Sequence, residues 1–211
     1  TMQKRAAVQM IYINLLFNIN TQSTFLDYGC GYGYLLQALQ QHTPHAAGVD
    51  YDDRCIESCQ EKGLTVSKIR SEQELADLPK VDLLTASHVV EHLTDLEGFI
   101  NLIKQKSDHA FIEVPCYDLV HDRQWVDQMG HIHFFNKKSL KLLLDKHNCE
   151  ILDLHRCGPS MWMQWYRPAE YVQNKIRMLP FFNRMDYFWG YYSNQNPEGI
   201  WLRAFVKTSV G

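Results

Sequence analysis

Apolar and polar positions change period repeatedly along the chain and mark out helices alternating with short strands. Gln3 to Phe17 sets Ala7, Met10, Ile11 and Leu15 near one face at helical spacing and predicts a helix. Thr24 to Asp27 is a short apolar run into Gly29 and reads as a strand; Tyr34 to Gln41 is helical. His45 to Asp50 is a second strand, and Asp53 to Lys62 a helix closed by Gly63. Thr65 to Ile69 is a third strand. A short helix follows that carries Glu74, capped by Ser71 and turning Leu75 and Leu78 inward. Val81 to Ala86 has the continuous apolar character of a strand covered on both faces. Asp95 to Lys106 is a helix, and His109 to Val114 a strand stopped by Pro115. Ser139 to His147 is helical, and Glu150 to His155 and Ile200 to Lys207 are the last strands.

Strands alternating with helices predict an α/β fold, a doubly wound, mostly parallel sheet with right-handed crossovers. The stretch 158–199 interrupts the alternation and is expected to be a cap inserted before the final strand. Length and composition agree with one globular domain spanning 1–211: 211 residues, 45% hydrophobic and 21% charged. No apolar run approaches the ~20 residues of a membrane span, and Thr1 to Ala7 lacks the order of a signal peptide. Six cysteines without a CxxC pair predict reduced, buried thiols in a cytoplasmic protein. The net charge of −3 excludes a strongly basic nucleic-acid binder, but it is unevenly placed. Residues 1–154 hold 14 basic and 21 acidic groups; residues 155–211 hold 7 and 3, with 13 of the 26 aromatic rings.

The first chemical signal follows the first strand. Gly29, Gly31 and Gly33 alternate with Cys30 and Tyr32, and the helix from Tyr34 aims its N-terminal amides at the same place. Asp50, ending the second strand, is placed to accept the two hydroxyls of a ribose. Asp27 precedes the glycines, where it would repel a pyrophosphate and welcome a cation. Together these favour a sulfonium nucleoside, S-adenosylmethionine, over a dinucleotide.

Leu26-Asp27-Tyr28-Gly29-Cys30-Gly31-Tyr32-Gly33 resembles motif I of the class I S-adenosylmethionine-dependent methyltransferases. Val49-Asp50 resembles their acidic second-strand end, and Val81 to Leu93, with its Glu91-His92 pair, the fourth-strand motif of the small-molecule branch. Gly130-His131-Ile132-His133-Phe134-Phe135 before a helix is a further feature of that branch. The resemblance implies a Rossmann-like methyltransferase fold, seven strands in the order 3-2-1-4-5-7-6 with the seventh antiparallel. It also implies that Gly29, Gly31 and Gly33 line the cofactor with Asp27 near its amino-acid end. Asp50 would hold the ribose, Tyr51 flank the adenine, Arg70 to Glu72 reach the adenine edge, and Ser87 and His88 lie beside the methionine moiety. S-adenosylhomocysteine would be the product.

Methyl transfer to a hydroxyl requires alignment, exclusion of water and removal of a proton, and histidine suits the last task. His88, His92, His131 and His133 gather at strand ends. An extended His131-Ile132-His133 would put both imidazoles on one side, and His133, then His92, are the first choices for the base, with His131 and Glu91 beside them. The expected acceptor is a hydroxyl of a sugar or other small metabolite. A second reading comes from the small-RNA 3′-terminal 2′-O-methyltransferases, whose metal site pairs Glu-His with a later histidine. His88 stands where that pattern has its first glutamate, and no strong basic groove is evident, so no metal is assigned. A non-catalytic cofactor-fold module and a nicotinamide oxidoreductase are the remaining alternatives. The aromatic stretches Met161 to Tyr166 and Tyr187 to Tyr192 suit a substrate lid or packing on the sheet, and Leu179-Pro180-Phe181-Phe182 suits contact with a membrane surface.

Overall fold

The computed structural model describes residues 2–117, 130–160 and 199–208. Five parallel strands form its centre: β1 (Phe25–Tyr28), β2 (Ala46–Asp50), β3 (Val66–Lys68), β4 (Val81–Ser87) and β5 (Ser107–Pro115). β6 (Glu150–Ser160) and β7 (Gly199–Lys207) complete a seven-stranded sheet of order β3-β2-β1-β4-β5-β7-β6, in which β7 runs antiparallel to both neighbours. This is the α/β, Rossmann-like methyltransferase architecture expected from the sequence.

Alternation along the central strands divides the core into two layers. Phe25, Leu83, Phe111 and Phe205 face α1 (Met2–Phe17) and α2 (Tyr34–Gln40), packing on Met10, Ile13, Leu36 and Leu39. Leu26, Leu84, Ile112 and Ala204 face the other way, onto Phe99, Ile100 and Ile103 of α4 (Leu96–Lys106) and Leu140 and Leu144 of α5 (Lys137–Lys146). Each of the larger side chains adds ~1.5–3 kcal/mol by leaving water. α3 (Asp53–Glu61) lies between β2 and β3 in the chain. Its cap is Asp52, which accepts the Arg54 amide; Asp95 caps α4 and Asn136 caps α5 in the same way.

Several local expectations need correction. The inward face of α1 is Ala6, Gln9, Met10, Tyr12 and Ile13, whereas Ala7 and Leu15 are exposed. The apolar pattern misleads because Gln9 and Tyr12 are buried to make hydrogen bonds. Ser71 precedes the short 3-10 helix Glu72–Asp77 without a side-chain capping bond; the Glu74 carboxyl instead accepts the Arg70 amide at 3.1 Å. β6 continues beyond His155 to Ser160, through irregularities in its register with β7 between Ile151 and Asp153 and between Cys157 and Ser160. Of the expected cap 158–199, residues 158–160 therefore belong to β6 and Gly199 opens β7; 161–198, with the aromatic stretches and Leu179-Pro180-Phe181-Phe182, lie outside the described residues. No described helix is long and apolar enough to cross a membrane. None of the six cysteines is in a disulfide.

Candidate functional site

A cavity of about 780 Å³ opens over the C-terminal ends of β1, β2 and β4. That edge of a parallel sheet is where α/β folds bind ligands, and the volume is that of a small-molecule site. The turn after β1 forms one wall. Gly29, Gly31 and Gly33 all have positive φ, of 68°, 52° and 75°. Their surroundings differ. A methyl group on Gly29 would come within 2.3 Å of Val89 Cγ2, and one on Gly33 within 2.5 Å of Leu64 Cδ1; one on Gly31 would meet nothing within 4 Å. Gly29 and Gly33 let the turn pack tightly, and Gly31 leaves backbone open towards the cavity. Gly29 and Gly31 line the cavity, while Gly33 is buried beneath it.

Asp50 meets the loop from the end of β2. Its Oδ2 accepts the Gly31 amide at 2.8 Å and Oδ1 the Asp52 amide at 2.9 Å, leaving lone pairs on both oxygens for a ligand's hydroxyls. Tyr51, next in the chain, lines the cavity and shares a 2.7 Å hydroxyl contact with Tyr28. Arg70 and Ser71 border the same end. Asp27 does not line the cavity. It is 2% exposed, and its Oδ1 accepts the Thr85 hydroxyl at 2.7 Å. Burial pushes its carboxyl up to about 7, against the opposing Thr85 bond and with help from the charge of Asp50.

The opposite wall contains residues that the sequence left unmarked. Arg5, Ala6 and Gln9 of α1 line it. Arg5 donates to the Ser87 hydroxyl and, at 2.8 Å, to Glu113 Oε1. Gln9 Nε2 donates to both groups, at 2.8 and 2.9 Å. Behind them Glu113 is fully buried and paired with Arg203, its register partner across β5 and β7, which is also fully buried. Burial pushes the Glu113 carboxyl up, but the guanidiniums of Arg203 and Arg5 more than offset this and hold it below its ordinary value. No motif announced this network. A lone Glu on an apolar strand and a lone Arg on another were the available signals.

The expected histidines separate into groups. His88, with φ of 56° at the end of β4, lines the cavity; its Nδ1 lies 3.4 Å from Glu91 Oε1 and its Nε2 3.7 Å from Glu113 Oε1. His92, exposed, also lines the cavity, and its ring lies 4.6 Å from that of His131. His131 is bonded through Nδ1 to the Tyr117 hydroxyl. Burial holds its imidazole below the ordinary value, partly countered by Glu91. Glu91 is completely buried. One ligand atom from each of Glu91, His92 and His131 lies within 4.8 Å of the others. His133 is not in this group. Its Nε2 bonds the Leu93 carbonyl at 2.8 Å, and it does not line the cavity. The segment after Gly130 is bent, with the Ile132 and His133 amides both bonded to the Glu91 carbonyl, so the alternation of an extended strand does not govern it.

Comparison with known proteins gives this arrangement its context. A family model described as a methyltransferase domain matches residues 3–154. Among solved structures, a S-adenosylmethionine-dependent methyltransferase from Archaeoglobus fulgidus is 18% identical over 96% of this chain and 94% of its own, with a TM-score of 0.65. A complex between the Haloferax volcanii Trm112 methyltransferase activator and a methyltransferase matches at 13% identity over 100% and 92%, with a TM-score of 0.69. Magnesium protoporphyrin IX methyltransferase from Synechocystis, with bound S-adenosylhomocysteine, matches at 16% over 72% and 75%, with a TM-score of 0.60. No curated protein sequence matches significantly. Because the family match takes in every strand from β1 to β5, and with them the glycine turn and the cavity it borders, the chain belongs to the methyltransferase domain family and is an enzyme that uses S-adenosylmethionine.

Proposed function

We propose that this enzyme methylates a hydroxyl of a small molecule, a sugar or other metabolite, and that the cavity holds donor and acceptor end to end. The observation that carries this reading is the layout of the cavity. Asp50, the open Gly31 backbone, Ser87, His88 and His92 all line it, and the strand order sets Asp50 at the end of β2 and Ser87 at the end of β4 with the glycine turn of β1 between them. In this reading Asp50 takes the ribose hydroxyls, Tyr51 lies beside the adenine, Arg70 and Ser71 reach the adenine edge, and Ser87 and His88 border the methionine part. Asp27 acts from below by bracing β1 against β4 through Thr85.

The donor supplies an electrophilic methyl group on a positively charged sulfur. The protein aligns the acceptor oxygen behind that methyl, excludes water and accepts the hydroxyl proton. An oxygen–carbon bond forms, the sulfur–carbon bond breaks, and the proton passes to an imidazole. His92 borders the cavity and His131 touches it ring to ring, which makes this pair better placed for the task than His133. The small-molecule reading also draws on charge, since residues 1–154 carry 21 acidic against 14 basic groups.

The test is a calorimetric titration with S-adenosylmethionine and S-adenosylhomocysteine, followed by a screen of hydroxylated metabolites with methyl-labelled donor. Expected are micromolar binding, label on oxygen, and a turnover number reduced ~10²–10⁴-fold in His92→Ala without loss of donor affinity. Label appearing only on amines, or only on RNA, overturns the acceptor assignment.

A further inference from the structure

Tyr28 stands between Asp27 and Gly29, where β1 runs into the glycine turn, and it is completely buried. Its ring lies 4.8 Å from that of Phe99 on α4, in the apolar layer that also takes in Val49, its register partner on β2. Phenylalanine would supply the same ring. The hydroxyl is the part that packing does not explain, since a buried tyrosine O–H needs a partner. The strand period brings one. Tyr51 follows Val49 by two residues and so returns to the face that Tyr28 shares. The two hydroxyls meet at 2.7 Å, and the rings stand edge to face, 6.3 Å apart and at 88°.

The two tyrosines have different freedom. Tyr28 is 0% exposed and fixed by the core, whereas Tyr51 is 39% exposed and lines the cavity. A partly exposed aromatic ring turns about two side-chain torsions. Its backbone is held, because the amides of Gly29 and Cys30 bond the Val49 carbonyl at 2.8 and 3.0 Å and tie the turn to the end of β2. The Tyr28 hydroxyl takes the ring by its tip, the atom farthest from that backbone, so Tyr51 is fixed at both ends.

We infer that Tyr28 is a positioning residue for donor binding, whose hydroxyl holds the Tyr51 ring in the pose that receives the adenine. The inference rests on the reading above in which Tyr51 lies beside the adenine. Ordering a side chain that is free to turn weakens binding by roughly 2–12-fold, and a ring already held avoids that loss. A planar base needs such a surface, because stacking depends on the orientation of the ring that receives it.

The test measures S-adenosylhomocysteine binding by calorimetry to the full chain and to Tyr28→Phe, Tyr51→Phe, the double variant and Tyr51→Ala. The two phenylalanine variants break the same bond and keep both rings, and Tyr51→Phe does so from the exposed side, where folding is not at stake. Each should raise Kd by roughly 2–12-fold, and the double variant no further than the larger single effect. Tyr51→Ala removes the ring and should raise Kd by roughly 5–150-fold, the range for loss of stacking on a base. Ring-¹³C tyrosine NMR of the ligand-free protein gives a second readout, with the Tyr51 signal assigned by its loss in Tyr51→Phe. In Tyr28→Phe that signal should move towards the position of free tyrosine, and saturating S-adenosylhomocysteine should restore it. Unchanged affinity in Tyr28→Phe beside a weakened Tyr51→Ala overturns the proposal and leaves Tyr51 at the adenine. Unchanged affinity in Tyr51→Ala overturns both. Additive losses, or a Tyr51 signal that stays in place in Tyr28→Phe, also overturn it by showing that the two hydroxyls act independently.

Discussion

Two glutamates beside the cavity are both removed from water, and they have opposite surroundings. Glu113 faces Arg203 across the sheet, receives Arg5 and Gln9 from α1, and has Ser87 within 3.4 Å. Among the described residues, neither carboxyl oxygen of Glu91 has a hydrogen-bond partner, and the contact at Oε1 is His88 Nδ1 at 3.4 Å. The first acid is complete within the fold and ties α1, β5 and β7 into one wall. The second meets only imidazoles among the described residues. A buried acid with its cations in place braces the fold, and one that meets imidazoles alone braces it far less.

The strongest way to break this comparison is to replace each glutamate by glutamine. Glu113→Gln leaves Arg203 buried beside a neutral amide, and loss of one partner of a buried ion pair costs ~3–5 kcal/mol. Glu91→Gln removes an acid whose contact among the described residues is the His88 imidazole at 3.4 Å, so stability should change far less. Urea denaturation of the two variants decides. Equal destabilisation would show that Glu91 has a structural partner after all.

The same contrast explains what could be read from the sequence. The alternation of strands and helices, the glycine turn and Asp50 were legible because each depends on neighbours close in the chain or on a motif of fixed spacing. Glu91-His92 was legible as a pair for the same reason. The Glu113–Arg203 pair was not, because it depends on the β5–β7 register, which joins residues 90 positions apart. Arg5 and Gln9 were missed because the buried face of α1 includes polar residues, which a search for apolar periodicity passes over. The parting of His131 from His133 was not legible, because an extended His-Ile-His segment would put both imidazoles on one side, whereas after the turn at Gly130 its amides fold back onto the Glu91 carbonyl.

Asp50 lies between the two extremes, and it sharpens the comparison with a smaller effect. Its oxygens accept two backbone amides, so the fold partly satisfies it, yet each keeps capacity for a ligand. Asp50→Ala should lower donor affinity by ~1.5–3 kcal/mol, the range for hydrogen bonds to a charged group, or roughly 10–150-fold in Kd by calorimetry. Asp50→Asn, which keeps one acceptor oxygen, should fall between. An unchanged affinity in the alanine variant would mean that the donor does not use this end of the cavity.

Asp27 is the mildest case, a buried acid bonded to the Thr85 hydroxyl and the Leu36 amide, with no cation in contact among the described residues. Burial raises its folded-state value to about 7, the Thr85 bond opposes this, and Asp50 adds to it. Its value in the unfolded chain is the ordinary ~3.9. A group raised on folding stabilises the native state fully below the unfolded value and loses that contribution as the pH climbs through the folded one. Asp27 therefore makes stability fall between about pH 4 and pH 7, with a slope of at most about 1.4 kcal/mol per pH unit. Asp27→Asn removes the titration and keeps an acceptor for the Thr85 hydroxyl, so the variant should lose that slope and match or exceed the parent at pH 7. Denaturant midpoints at pH 4.5, 5.5 and 6.5 measure it, and parallel curves for the two proteins would show that Asp27 is ionised throughout, held by a cation as Glu113 is.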